Sequence, residues 1–198
     1  MNIICVTNRK AVSGDFLASL ERIAAYRPTG IWLREKDLSL SEYTALAVSC
    51  HAICRSYGVR LLVHHISVAD QLKCGLHLPC QTYLKYASSL PPCFISVSVH
   101  SAEEAQIVDK FPVSMLVAGH IFPTDCKKGL APRGLPFLQE VCASSQVPVY
   151  AIGGITPQNA TSVLASGASG ICLMSAPMKN PDCLSSFGLS KGMLQKDF

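Results

Sequence analysis

The sequence predicts an α/β fold of the (β/α)8 TIM-barrel class, built as a single domain, and three observations carry that prediction. Short β-rich runs alternate with helical patterns along the chain, a pattern that calls for a parallel sheet. Eight such runs fall in 198 residues, about 25 residues per strand–helix unit, which is compact but sufficient for a closed barrel. No dinucleotide glycine fingerprint follows the first run, so the closed barrel is favoured over an open doubly wound sheet.

In order, strands are expected over residues 2–7, 30–34, 60–64, 76–78, 94–98, 115–119, 147–152 and 170–174, each an apolar run bounded by turn residues. Helices are expected over 15–26, 41–57, 68–73, 82–88, 102–110, 135–145 and 157–166. Ser41 is read as a cap for the second helix, and Ser101 caps Ala102-Glu103-Glu104 with acids in the first turn. Thr156-Pro157 reads as a cap followed by proline at the first helical position. From Val141 to Met178 there is no charged residue, as expected of parallel strands covered on both faces. Beyond residue 179, Pro181, Gly188 and Gly192 make a poor helix. The barrel is therefore placed at 1–179, with a short or frayed final helix and a C-terminal tail over 180–198.

Composition narrows the function classes. Hydrophobic residues make up 49% of the chain and charged residues 15%, which argues against disorder. The net charge of +4 is spread along the chain rather than gathered in a patch, so nucleic acid is not an expected partner. Small anions, phosphates included, are. No run approaches 18 apolar residues, so no membrane span is expected. The N-terminus reads straight into a strand with no secretory signal, and the ten cysteines include no C-x-x-C pair. The expectation is a cytoplasmic protein with reduced thiols that behave as small hydrophobes.

In such a barrel the chemistry belongs at the C-terminal ends of the strands. The segment AIGGITPQN puts Gly153 and Gly154 after the seventh strand, where main-chain N–H groups can approach an anion; a plain tight turn is the bland alternative. Ser175 follows the eighth strand and adds a hydroxyl. Arg34 and Lys36 put two cations after the second strand, unless they form a surface salt-bridge cluster with Glu35. Lys127 lies in a long cationic loop after the sixth strand, beside Cys126, a nucleophile candidate with no identifiable base. His120 stands between an apolar strand and Ile121-Phe122, where an imidazole can move a proton or can simply be a satisfied core residue. His64, His65, His77 and His100 at other strand ends could suggest a metal. Adjacent His64 and His65 on a strand would point to opposite faces, and Cys50 and Cys54 on one helix face read as packing, so no metal site is assigned.

VTNR at 6–9, LREKDLS at 33–39, GLHLP at 75–79, SVSVHSAEEA at 96–105, AGHIFPTDCKKG at 118–129, and AIGGITPQN followed by GASGICLMSA resemble the thiamine-phosphate synthase/TenI superfamily. The resemblance runs to Ala176 and implies a (β/α)8 barrel with a phosphate site at Gly153, Gly154 and Ser175. Thiamine-phosphate synthase joins a pyrimidine diphosphate to a thiazole phosphate with Mg²⁺ held by acids: an Asn-Asp pair after the third strand and an acid after the fourth. Here those places hold His64-His65 and Pro79-Cys80-Gln81, and Trp32 stands where the synthase usually has glutamine. The synthase resembles GPxFPTxTK where this chain reads GHIFPTDCKKG, so His120 replaces a proline and Cys126 a threonine.

GHxFxTDCKKGL is similar instead to the TenI-type thiazole tautomerase. That resemblance implies aromatisation of a carboxythiazole phosphate tautomer, with His120 matching the catalytic histidine and no cofactor required. Arg34, Lys36 and Lys127 are then expected near the substrate's anionic groups, and a homodimer is compatible with that family's exposed barrel surfaces. Two alternatives are carried alongside: a thiamine-phosphate synthase of relaxed pattern, the one case needing Mg²⁺, and a non-catalytic regulatory barrel that keeps the phosphate pocket.

Overall fold

The computed structural model describes residues 1–192, so the last six residues of the expected tail, 193–198, lie outside the described residues. Eight parallel strands follow one another in chain order around a closed barrel. They are β1 (Ile3–Val6), β2 (Gly30–Trp32), β3 (Arg60–Val63), β4 (Gly75–Pro79), β5 (Ile95–Val99), β6 (Met115–Gly119), β7 (Val149–Ile152) and β8 (Gly170–Leu173). The helices between them are α1 (Phe16–Ala24), α2 (Leu40–Ser56), α3 (Ile66–Leu72), α4 (Cys80–Tyr86), α5 (Ala102–Val108), α6 (Gly134–Ser144), α7 (Ala160–Ala165) and α8 (Ser175–Lys179). The expected TIM-barrel class is the observed one.

Two compact units share this chain, Met1–Leu76 with the C-terminal segment from Leu173, and His77–Cys172. In the first, Cys5 pairs with Ile31 and Ile31 with Leu61, and apart from Arg60 the residues of β1, β2 and β3 are buried. Helix α1 starts where the Asp15 carboxylate accepts the Ala18 N–H at 2.7 Å, and it buries Leu20, Ile23 and Ala24, three to four residues apart. Helix α2 begins two residues earlier than Ser41 suggests. Ser39 and Glu42 close a reciprocal capping box, so the Ser39 hydroxyl rather than Ser41 holds the first turn. Its buried stripe is Tyr43, Ala47, Cys50 and Cys54, a helical spacing that makes the two cysteines core residues. Burial pushes the Cys54 thiol up to about 12.

The final helix is short, as expected: α8 has five residues. Beyond it the chain makes a 3₁₀ turn over Pro181–Phe187 that buries Pro181, Leu184 and Phe187. Asp182 pins that turn, accepting from the Tyr26 hydroxyl at 2.9 Å and pairing with Arg22 at 3.0 Å and Lys191 at 2.9 Å.

In the second unit, Val97 pairs with Leu116 and Ala118 with Ala151, again on buried strands. Ser101 caps α5 as expected, accepting the Glu104 N–H at 3.1 Å. Helix α7 starts later than Thr156-Pro157 suggests. The Asn159 carboxamide accepts the Thr156 N–H at 2.8 Å and donates to the Gly154 carbonyl at 3.0 Å, which holds residues 156–159 as a turn. Among the described residues no helix is long and apolar enough to cross a membrane.

Candidate active site

His120 is the first residue after β6. The peptide bond before it is cis, and its side chain is half-buried. The ring Nε2 lies 3.4 Å from the Leu130 carbonyl, at the long limit of a hydrogen bond, so it is only loosely held. The loop after it returns on itself: Arg133 N–H donates to the His120 carbonyl and Gly134 N–H to the Ile121 carbonyl, both at 3.0 Å. Lys127 and Cys126 sit exposed on a 3₁₀ turn within that loop.

The double glycine lies against the same stretch. Gly153 has φ +104° and Gly154 φ +66°, the region that glycine adopts without a steric penalty. A Cβ on Gly153 would collide with the His120 Cβ and come within 2.8 Å of its Cα, and one on Gly154 would sit 2.7 Å from the Phe122 Cβ. The glycines thus let β7's exit pass directly beneath His120, a packing role that neither of the sequence alternatives, turn or phosphate loop, included. Both carbonyls face the protein, Gly153 accepting from Phe122 N–H at 3.0 Å and Gly154 from Asn159.

Two further histidines in this unit are engaged. His77, buried on β4, bonds the Ser96 hydroxyl through Nδ1 at 2.9 Å and the Ser98 hydroxyl through Nε2 at 2.8 Å. The signal for this network was legible, because Ser96 and Ser98 share one face of a strand at period two. His100 donates from Nδ1 to the Gly119 carbonyl at 3.2 Å. Among the described residues no group of three or more His, Cys, Asp or Glu side chains could hold a metal ion.

In the other unit, β1 and β2 end in a clasp that sequence reasoning passed over. The buried Glu35 carboxylate accepts from the Thr7 hydroxyl at 2.6 Å and from the Arg9 N–H at 3.0 Å, and the Arg9 guanidinium also pairs with Asp37 at 2.8 Å. Glu35 therefore turns inward between Arg34, half-buried, and Lys36, exposed. Arg34, Lys36 and Ser175, the first residue of α8, belong to this unit, whereas His120, Gly153, Gly154 and Lys127 belong to the other.

His64 and His65 do not point apart. They follow β3 rather than lying on it, so strand alternation does not apply, and their rings stack 4.4 Å apart, each against Tyr43. The Leu33 carbonyl accepts from the Tyr43 hydroxyl at 2.8 Å and from His64 Nδ1 at 3.2 Å. Burial holds both imidazoles below the ordinary histidine value, and His65, Lys36 and Arg34 depress His64 further, while the bond to Leu33 opposes the shift. The folded state thus favours the neutral rings. Stability from this pair is complete above the ordinary value of 6.5 and declines as pH falls below it, because the unfolded chain takes up protons first. The thermal midpoint is expected to fall between pH 7 and pH 5, and a His64→Asn, His65→Asn double variant to show a shallower fall in the same scan.

The fold defines a parallel (β/α)8 barrel, the class in which chemistry is carried at the C-terminal ends of the strands. The family described as Thiamine monophosphate synthase matches residues 3–176, and the chain belongs to that family. It is 33% identical to the thiamine-phosphate synthase of Methanospirillum hungatei, covering 77% of each chain. It is 30% identical to that of Coprothermobacter proteolyticus, covering 92% of this chain and 89% of the relative. Among solved structures, thiamine phosphate pyrophosphorylase from Pyrococcus furiosus superposes with a TM-score of 0.78 at 28% identity, covering 93% of this chain and 91% of that one. The Methanospirillum and Coprothermobacter relatives carry the synthase name, the alternative of the sequence reading rather than its first choice.

The Mg²⁺ that the synthase resemblance implies does not fit the residues present. Mg²⁺ wants oxygen ligands. The places after β3 and β4 offer two imidazoles, one bonded to Leu33, then Pro79, the Cys80 thiol, whose ionisation burial opposes, and Gln81. The Glu35 carboxylate after β2 is engaged by Thr7 and Arg9.

Proposed function

We propose that this chain is a thiazole tautomerase of thiamine biosynthesis, aromatising a carboxythiazole phosphate tautomer by proton transfer. The observation that carries the reading is His120, a half-buried imidazole at the end of β6, loosely tethered at 3.4 Å and seated on the double-glycine turn. A neutral imidazole has one N–H and one lone pair, so it can take one proton and return one. His120 removes the proton at ring C2; that C–H electron pair enters the ring as a π bond, and the exocyclic double bond takes a proton at its outer carbon. Protons and electrons balance within the substrate, and aromaticity drives the step. With the carbonyls of Gly153 and Gly154 engaged by the protein, the N–H side of the turn is the one offered to the phosphate. Ser175, Arg34, Lys36 and Lys127 are proposed as further contacts to the substrate's anionic groups, on the family resemblance.

A second reading, thiamine-phosphate synthase, is favoured by the names of the relatives, which support it better than they support the tautomerase. The misfit of the strand ends to Mg²⁺ favours the first. The test is to supply the thiazole tautomer alone and follow its absorbance, and separately to supply pyrimidine diphosphate, thiazole phosphate and Mg²⁺ and assay thiamine phosphate. Aromatisation without thiamine phosphate is the expected result. Thiamine phosphate without aromatisation would replace this reading with the synthase. Binding of thiazole phosphate with neither turnover would make the barrel a regulatory one.

A further inference from the structure

We propose that His100 is a positioning residue that holds the main chain of His120 in place for proton transfer. The inference rests on the reading of His120 as the proton-transfer group. His100 directly follows β5 and its side chain is exposed, yet it is bonded at three points. Its N–H donates to the Glu104 carboxylate at 2.6 Å, and its carbonyl accepts from Arg133 Nη1 at 2.7 Å. Its ring donates from Nδ1 to the Gly119 carbonyl at 3.2 Å; a carbonyl only accepts, so this nitrogen carries the hydrogen.

The Gly119 carbonyl belongs to the peptide group immediately ahead of His120. The carbonyl immediately after the His120 Cα accepts from the Arg133 N–H at 3.0 Å. His120 is therefore gripped on both sides by His100 and Arg133, which are themselves bonded to each other. Arg133 is steadied in turn, its guanidinium lying 5.0 Å over the Phe137 ring.

The grip on this side is through the main chain, and Gly119 has no room for a side chain: a Cβ there would collide with the Ile152 carbonyl oxygen and stand 2.6 Å from its Cγ2. Among the described residues the His120 ring makes a single hydrogen-bond contact, the long one to Leu130. A base must be held within a fraction of an ångström of its working place, and a displacement of about 1 Å costs on the order of 10²-fold in rate.

The test compares wild type with His100→Ala, His100→Asn and His120→Ala. It measures kcat and KM for the thiazole tautomer, and follows the His120 ring by NMR titration. His100→Ala is expected to lower kcat about 10²-fold with KM within about threefold, and to shift the His120 resonances. His100→Asn, whose carboxamide can still donate to the Gly119 carbonyl, is expected to recover most of that loss. Wild-type kcat in His100→Ala, or equal defects in both His100 variants, would overturn the proposal.

If His120→Ala turns over like wild type, the tautomerase mechanism fails, and the positioning role is judged on the NMR signal alone; an unmoved His120 ring overturns it. Should His100→Ala not fold, Arg133→Gln removes the guanidinium contact to His100 and leaves the main-chain bond to His120. Because the His100 ring bond to Gly119 remains, it should show a smaller loss confined to kcat with shifted His120 resonances, and an unchanged kcat with an unmoved His120 signal would overturn the proposal.

Discussion

Replacing His120 by alanine is expected to lower turnover of the thiazole tautomer by roughly 10²- to 10⁴-fold, the usual worth of a positioned general acid–base group. Affinity for thiazole phosphate should stay within about threefold, because the proposed anion contacts lie on the double-glycine turn and on other side chains. The two quantities separate cleanly, rate by the change in absorbance on aromatisation and affinity by calorimetry. Equal rates for variant and wild type would remove His120 from the reaction. The alanine has room: the side chain is half-buried and, among the described residues, its ring makes one long hydrogen-bond contact, so a folding defect is not the expected source of the loss.

The second large effect is on stability. Gly153→Ala is expected to destabilise the chain by about 3 kcal/mol, the sum of a left-handed backbone penalty of about 1–2 kcal/mol and an overpacking cost of about 1–3 kcal/mol. The clash is with the Cα and Cβ of His120, which cannot swing away as the end of a flexible side chain can. For a chain of this size the thermal midpoint should drop on the order of 10 °C. Gly129→Ala is the matched control. Gly129 has φ +80° but nothing within 4 Å of the added carbon, so only the backbone penalty of about 1–2 kcal/mol should appear. Equal losses at the two positions would mean that contact between β7's exit and His120 contributes nothing to the destabilisation.

The fold was legible because its signals are local and repeated. Apolar runs such as IICV and MLVAG are buried strands, and the cap at Ser101 rests on an interaction that spans three residues. The misplaced starts of α2 and α7 arose where two capping side chains compete: Ser39 displaces Ser41 because Glu42 answers it, and Asn159 holds back the residues after Thr156. His120 and the double glycine were legible as single residues at strand ends. That they touch was not, since the contact joins β6 to β7 across more than thirty residues of sequence. The Glu35 clasp was hidden for a similar reason, as the partners of this carboxylate lie on β1's exit. The pairing of His64 with His65 turned on where β3 stops, a one-residue matter that reverses which way a side chain faces.

Among the described residues, which include all ten cysteines, none is in a disulfide and nine are buried or half-buried; Cys126 is the exposed one. It rides on the loop that leaves His120 and returns through Arg133. A bulky maleimide dye added sparingly to native protein should therefore settle on that thiol, with no need to engineer a cysteine-free background. Its emission would then report, in real time, how this loop answers a ligand.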